Sequence, residues 1–467
     1  MGISSTLFYS SNDPNKQTLH RRIIPSDEQI ETQQERWNNL AEHLVTDLRD
    51  QSDCSIRTWL QGSYKFGTQI RPARKGEEFD IDLGVYFEWE GSAENGPLEA
   101  KELKDMVQDS LLAYDAEDIE EVVEPPKTRC GRIRFTGAFH VDVPAYHLDP
   151  ERDARMLATA EFGWEDSDPK ALYVWFVDEF DDEIRVKARR HIRYLKIWAA
   201  LHFRNGAERP SSTLLTVLVA EAISSLDQDE LIADDDALSS ILEEIVQRLD
   251  NDRSVPNPAS NDYEDLAERL SDDAFTAFLD KLRTFRDTAV AALQCGDILS
   301  AVDKWSEVFE HFFPMPEEDD LQVVSGATTQ LPVQAFIPDV HVHAVAKNNS
   351  QRTWQDMNRI GPIPKNCQIS FRIANPELIP NNATIQWMVR NEGDEAEAVN
   401  DLGHKAGAEI IASEHSAYKG THYMDCVVRH YGVVIGVRRI PVSISSATMP
   451  KRNPASRPAY VAHRRRR

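Results

Sequence analysis

"QGSYKFGTQIRPARKGEEFDIDLGVYF" (Gln61 to Phe87) decides the fold. It opens with a Gly-Ser turn and ends in an apolar run carrying two aspartates one residue apart. Alternate residues of a strand share a face, so Phe79, Ile81, Leu83 and Val85 point to a core while Asp80 and Asp82 point the other way. Their Cα atoms are then ~6.6 Å apart, from the strand rise. Further on, "GRIRFTGAFHVDVPAYH" reads as another strand, with Phe135, Phe139, Val141 and Val143 on one face and His140 and Asp142 on the other. If the two strands are neighbours, three carboxylates converge. Unpaired they would repel one another and be costly to bury. A pair of divalent cations resolves the conflict and, at ~3.5–4 Å separation, activates a hydroxyl and stabilises a leaving pyrophosphate. Gly62 permits a tight strand-to-helix turn, and Ser63 with the next backbone N–H groups makes a phosphate cradle. The stretch as a whole predicts nucleotidyl transfer, with Asp80, Asp82 and Asp142 as catalytic metal ligands and two Mg2+ (or Mn2+) as cofactors.

Around this stretch the spacing predicts a helix over about Asp27 to Asp50, a strand at "SIRTWLQ" and a helix at "PLEAKELKDMVQDSLLAY". From about Asp178 to Phe313 the pattern is mostly helical. "VKARRHIRYLKIWAALHF" is amphipathic, "SSTLLTVLVAEAI" is more buried, and "LDQDELIADDDALSSILEEIVQRLD" reads as a solvated helix pair with a loop. "FPMPEEDDLQVVSGATTQLPVQ" breaks the pattern and marks a boundary. Short β-rich runs follow, including "QISFRIAN" and "TIQWMVRN". The expected fold is α+β: residues 1–175 a mixed-sheet core with an N-terminal helix, 176–316 a helical lobe, 317–330 a linker, 331–446 a small β-rich domain and 447–467 a basic tail.

The chain has 467 residues and a formal charge of −26, which excludes a general duplex-DNA binder. The tail reverses the sign: "ATMPKRNPASRPAYVAHRRRR" holds seven cations, no acid and one tyrosine, Tyr460. Its prolines and lack of periodicity predict a mobile arm. No apolar run is long enough to span a bilayer, and the N-terminus lacks a signal peptide's pattern. "MGISST" fits a loose myristoylation pattern shared by many unrelated N-termini. Five scattered cysteines indicate neither a disulfide framework nor a zinc site. A cytoplasmic protein is expected. His341 and His343 ("DVHVH") share a strand face and would bind metal only with a third ligand; otherwise they are polar positions on a half-exposed strand.

"GSYKFGTQIRP", "FDIDLGVYF" and "HVDVPAYH" together resemble the nucleotidyltransferase core of the polymerase-β-like superfamily. More narrowly they resemble the bacterial antiphage relatives of cyclic GMP-AMP synthase and oligoadenylate synthase, the CD-NTases of SMODS type. The resemblance spans about residues 20–315. It implies metal binding by Asp80, Asp82 and Asp142 and nucleotide binding by Gly62 and Ser63. "HIRYLKIW" resembles the helix whose lysine holds the donor triphosphate, which points to Lys196; on residue pattern alone this is an ordinary basic helix. "RPSSTLLTVLVAE" resembles the next helix start, which puts Ser211 or Ser212 on the phosphates; after Pro210 either could instead cap that helix. "IQWMVRNEGDEA", "YKGTHYMDCVV" and "RRIPVSI" resemble the adenylyl/guanylyl and SMODS C-terminal sensor domain, a part expected to regulate rather than to do chemistry.

The resemblance implies template-independent transfer from nucleoside triphosphates, ATP or dATP, into a nucleotide immune signal read by a separate effector protein. One branch, the Hailong nucleotidyltransferases, builds DNA oligomers from a C-terminal tyrosine, and Tyr460 is the corresponding primer candidate here, a catalytic acceptor for an oligonucleotide product. The alternatives are a cyclic di- or trinucleotide synthase of a CBASS-like system, a toxin that nucleotidylates a macromolecule, and an inert nucleotide-binding module. The intact aspartates and Gly-Ser turn speak against the last.

Overall fold

The computed structural model describes residues 2–13, 16–260, 263–316, 336–347 and 349–448. The expected linker at 317–330 and the tail with Tyr460 lie outside the described residues. The chain divides into two compact units, one running to Phe309 and including 313–316, the other made of Glu310–Phe312 and the residues from 336 onward.

The first unit begins with short helices α1 (Ser5–Phe8) and α2 (Leu19–Ile23), then α3 (Asp27–Ser52), which a Ser26 and Gln29 capping box starts and a left-handed Asp53 stops. Strand β1 (Ser55–Gln61) runs directly into the one-turn helix α4 (Gly62–Phe66), and β2 (Phe79–Glu88) leads to α5 (Ala100–Ala113). Then come β3 (Ile119–Val122), β4 (Gly131–Phe135), β5 (Phe139–Val143), β6 (Ala145–Asp149), β7 (Ala154–Thr159) and β8 (Gly163–Asp166). The segment expected as one strand from Gly131 to His147 is therefore three. Gly137 and Ala138 take positive φ and fold β4 back on β5, and Pro144, which has no N–H to give a ladder, separates β5 from β6. All eight strands form one mixed sheet in which β2 pairs antiparallel with β1 and parallel with β5 and β6. The alternation holds: Phe79, Ile81, Leu83 and Val85 are buried in one core with Leu40, Leu44, Leu103 and Val141.

Helices α6 (Pro169–Glu179), α7 (Asp182–His202), α8 (Ser212–Ser225), α9 (Asp234–Asn251), α10 (Asp272–Leu293) and α11 (Ile298–Phe309) follow. The expected solvated helix pair at 226–250 is instead a 3-10 turn, Gln228–Leu231, and the single helix α9. That helix buries Leu238, Ile241, Ile245 and even Asp234 and Asp235. The acidic residues suggested a solvated element, but α9 is packed by its apolar stripe and finds partners for Asp234. Phe8 from the N-terminal segment is buried edge-on against Trp305, Phe313 and Tyr194.

The second unit is all strand but for short helical turns. One sheet holds β9 (Val340–Ala346), β10 (Asn349–Met357), β12 (Cys367–Ile373) and β15 (Ile411–His415). The other holds β11 (Ile360–Lys365), β13 (Ala383–Arg390), β14 (Gly403–Gly407), β16 (Gly420–His430) and β17 (Val433–Thr448). Val342, Phe371, Trp387, Cys426 and Ile440 share the core between them. His341 and His343 lie on the exposed side of β9. Among the described residues they join no group of three possible metal ligands.

Candidate active site

The site is built on the register of β2. Parallel pairing with β5 sets Asp80 beside His140 and Asp82 beside Asp142, while antiparallel pairing with β1 sets Gln61 opposite Asp82. The strand carrying the aspartates is thus flanked by the third aspartate and by the residue that starts the Gly-Ser turn. Gly62 has φ +57°, and a Cβ there would overlap Asp82 Oδ2. Glycine is needed twice over, for the left-handed backbone and for the close approach.

Each carboxylate has a different environment. Asp80 is half-exposed and lies 2.8 Å from His140 Nε2, whose Nδ1 lies 2.8 Å from Glu78 Oε2. Asp142 accepts from Arg132 Nε and, at 2.8 Å, from Arg132 Nη2, and Lys127 Nζ donates to it at 3.0 Å. Burial alone would raise the Asp142 pKa, but the Arg132 and Lys127 contacts bring it below the usual carboxylate range. Among the described residues Asp82 has no such partner. Burial, then the charges of Asp80 and Asp142, push it up to about 8, against smaller opposing effects from Lys196 and Arg132.

This donor set fits a divalent cation. Asp80, His140 and Asp142 each place a ligand atom within 4.8 Å of the others, and Asp82 is a half-buried carboxylate whose raised pKa makes nearby positive charge favourable to its ionised form. The cations in place are fixed guanidinium and ammonium groups, which neutralise Asp142 and leave Asp82 unmatched.

Lys196 projects from α7 into the same site. It is buried, donates to the Thr68 carbonyl at 2.9 Å, and has its pKa lowered to about 7 by burial and by Arg193, with Asp80 and Asp82 opposing. Among the residues of a basic helix it faces inward, because Ile192, Leu195 and Ala199 on the same helix are core residues. Ser211 is the N-cap of α8, its Oγ accepting from Leu214 N at 3.1 Å. Ser212 begins the helix.

Two cavities meet at these residues. One of about 480 Å³ is lined by Gly62, Asp82, Ser211, Asn257 and Arg269, the other of about 490 Å³ by Asp80, His140, Arg134 and Arg209. Ser63, Lys196 and Ser212 line both. Of the sequence candidates, Gly62, Ser63, Asp80, Asp82, Asp142, Lys196, Ser211 and Ser212 are brought together. Tyr460 lies outside the described residues. Sequence reasoning assigned no role to Glu78, Lys127 or Arg132. Arg132 sits opposite Asp142 in the β4–β5 hairpin, a pairing visible only once the turn at Gly137 is known.

Residues 56–146 match the model of the cyclic GMP-AMP synthase DncV-like nucleotidyltransferase domain, and residues 308–445 match the adenylyl/guanylyl and SMODS C-terminal sensor domain. The chain is 29% identical to a cyclic GMP-AMP synthase of Escherichia albertii over 96% of its own length and 98% of that relative. It is 26% identical to a cyclic GMP-AMP synthase of Vibrio cholerae over 50% of this chain and 62% of that one. The structure of the Vibrio cholerae di-nucleotide cyclase DncV in complex with GTP and 5MTHFGLU2 superposes with a TM-score of 0.57 at 19% identity, covering 67% of this chain and 96% of that one. The same enzyme with the linear intermediate 5' pppA(3',5')pG gives a TM-score of 0.55 at 20% identity, over 67% and 97%. At that identity the superposition establishes the shared fold.

Proposed function

We propose that this chain, a nucleotidyltransferase with a DncV-like catalytic domain followed by an adenylyl/guanylyl and SMODS C-terminal sensor domain, joins two purine nucleoside triphosphates into a cyclic dinucleotide signal. The observation that carries the reading is the pair of similar cavities on either side of the aspartates, sharing Ser63, Lys196 and Ser212. A transferase that modifies a macromolecule needs one nucleotide cleft and an open path for its acceptor. A cyclase must hold two nucleotides of like size at once, each in reach of the same reacting centre. Similarity to the Escherichia albertii cyclic GMP-AMP synthase along nearly the whole chain supports the same choice.

In this reading Asp80, Asp82 and Asp142 hold divalent metal, which when bound supplies Lewis-acid activation of the attacking hydroxyl and charge neutralisation on the leaving pyrophosphate. Ser63, the backbone at Gly62, Lys196 and Ser212 hold the donor triphosphate in line. Lys196 gives a buried charge worth more there than in water, because few solvent dipoles screen it. Ser211 acts through its cap, fixing the start of α8 so that Ser212 faces the cavity. The product would be read by a separate effector protein in antiphage defence, and the sensor domain would regulate the transfer without taking part in it.

Labelled ATP and GTP with Mg2+ test this directly. The expected outcome is free, phosphatase-resistant label, since a cyclic product has no terminal phosphate. Label retained on the protein and mapped to Tyr460 would replace this reading with the primed-oligomer one, for which the support is the lone tyrosine in an acid-free tail. Label passed to an added protein or RNA would replace it with the toxin reading.

A further inference from the structure

We propose that His140 is a nitrogen ligand of the metal centre, sharing one divalent cation with Asp80 and Asp142, and that Glu78 holds its ring for that purpose. The inference rests on the metal-dependent reading above and deepens it. The imidazole is buried, with its side chain 9% exposed, between two carboxylates. A neutral ring carries one N–H. In the tautomer that donates it from Nδ1 to Glu78 Oε2, the Nε2 lone pair faces Asp80 Oδ1 across 2.8 Å, two acceptors in opposition. A cation bound by both atoms turns that opposition into coordination. The spacing suits it: adjacent ligands of an octahedral ion with bonds of ~2.1 Å are ~3.0 Å apart. Asp142 completes three ligand atoms within 4.8 Å. Its oxygens are held by Arg132 and Lys127, whose positive charge the ion would replace at that carboxylate. Glu78 also faces Arg134 Nε at 3.3 Å, so it is itself oriented. A carboxylate that accepts the second N–H of an imidazole is the usual way a ligating histidine is held in place.

The consequence is a choice of metal. Three carboxylates alone suit Mg2+, and an added imidazole favours transition ions such as Mn2+. The test uses the full-length protein and Mn2+ alone. Pulsed electron paramagnetic resonance of bound Mn2+ should show nitrogen coupling that changes from 14N to 15N when histidine is 15N-labelled. His140→Gln should abolish the coupling and weaken Mn2+ binding on the order of tenfold or more, with a smaller effect on Mg2+. Glu78→Gln keeps the ring and should retain nitrogen coupling while weakening Mn2+ about 10-fold or more. Unfolding temperatures of both variants show whether the fold survives. Mn2+ that binds in an Asp80-dependent way without nitrogen coupling overturns the ligand role and leaves the nucleotidyltransferase reading standing. No Mn2+ binding at all overturns both.

Discussion

Asp82, half-buried on β2, and Asp234, buried at the start of α9, are both aspartates of the first unit, and they have opposite fates. Asp234, at the start of α9, accepts two hydrogen bonds from Arg190 at 2.8 Å and one from the Tyr194 hydroxyl at 2.7 Å. Burial would raise its pKa, but these partners and the nearby His191 pull it to about 2. Asp82, half-buried on β2 beside the cavities, is pushed the other way, to about 8, by desolvation and by two more carboxylates. A buried charge with its partners in place is scaffold. A half-buried carboxylate pressed against others, beside a cavity, is a site that requires something from outside the chain.

The comparison breaks most easily at the catalytic end. The double variant Asp80→Asn with Asp82→Asn should lower pyrophosphate release at least about 10³-fold, about 4 kcal/mol of transition-state stabilisation, because it removes the metal's donors. Its unfolding temperature should be equal to or above wild type, since charges that repel one another are gone. Undiminished turnover, or a collapse in stability, would break the contrast.

Asp234→Ala should do the reverse. It strands a buried Arg190 and should cost about 3–5 kcal/mol in denaturant unfolding, while protein that remains folded keeps its triphosphate affinity. A loss below about 1 kcal/mol would make Asp234 dispensable to the scaffold.

The pH dependence of stability sharpens the contrast. Asp82 in the folded protein holds its proton up to about pH 8, whereas the unfolded chain releases it near 4. Metal-free protein should therefore lose stability as pH rises across that window, by on the order of a few kcal/mol. Asp82→Asn, or saturating Mg2+, should flatten the slope. Asp234, with its pKa depressed, contributes stability that persists above pH 4 and fades only toward pH 2. Denaturant titrations at pH 5 and pH 8 measure the first, and titrations at pH 5 and about pH 2.5 the second.

The smallest expected effect is at Lys196. Burial and Arg193 lower its pKa to about 7, so binding a triphosphate should draw a proton onto it. Affinity should fall about tenfold from pH 6 to pH 8 or 9, with proton uptake visible by calorimetry in buffers of different ionisation enthalpy. Lys196→Arg should remove that pH dependence. An unchanged profile in the Arg variant would place the titration elsewhere.

Much of this was legible in the residues. Period-two alternation put Asp80 and Asp82 on one face of a strand and His140 and Asp142 on one face of another, and the turn at Gly62 announced itself by composition. These are local properties, set by backbone geometry within a few residues. What the sequence alone did not determine was register. The break at Gly137 and Ala138, the interruption at Pro144 and the parallel pairing of Asp82 with Asp142 decide whether three carboxylates meet, and the last of these joins strands more than fifty residues apart. The same holds for the acids of α9. Their composition suggested solvent, yet Arg190 and Tyr194 on α7 make Asp234 an interior residue. Only tertiary packing could supply those partners, because the free energy of a buried charge depends on what surrounds it and not on its neighbours in the chain.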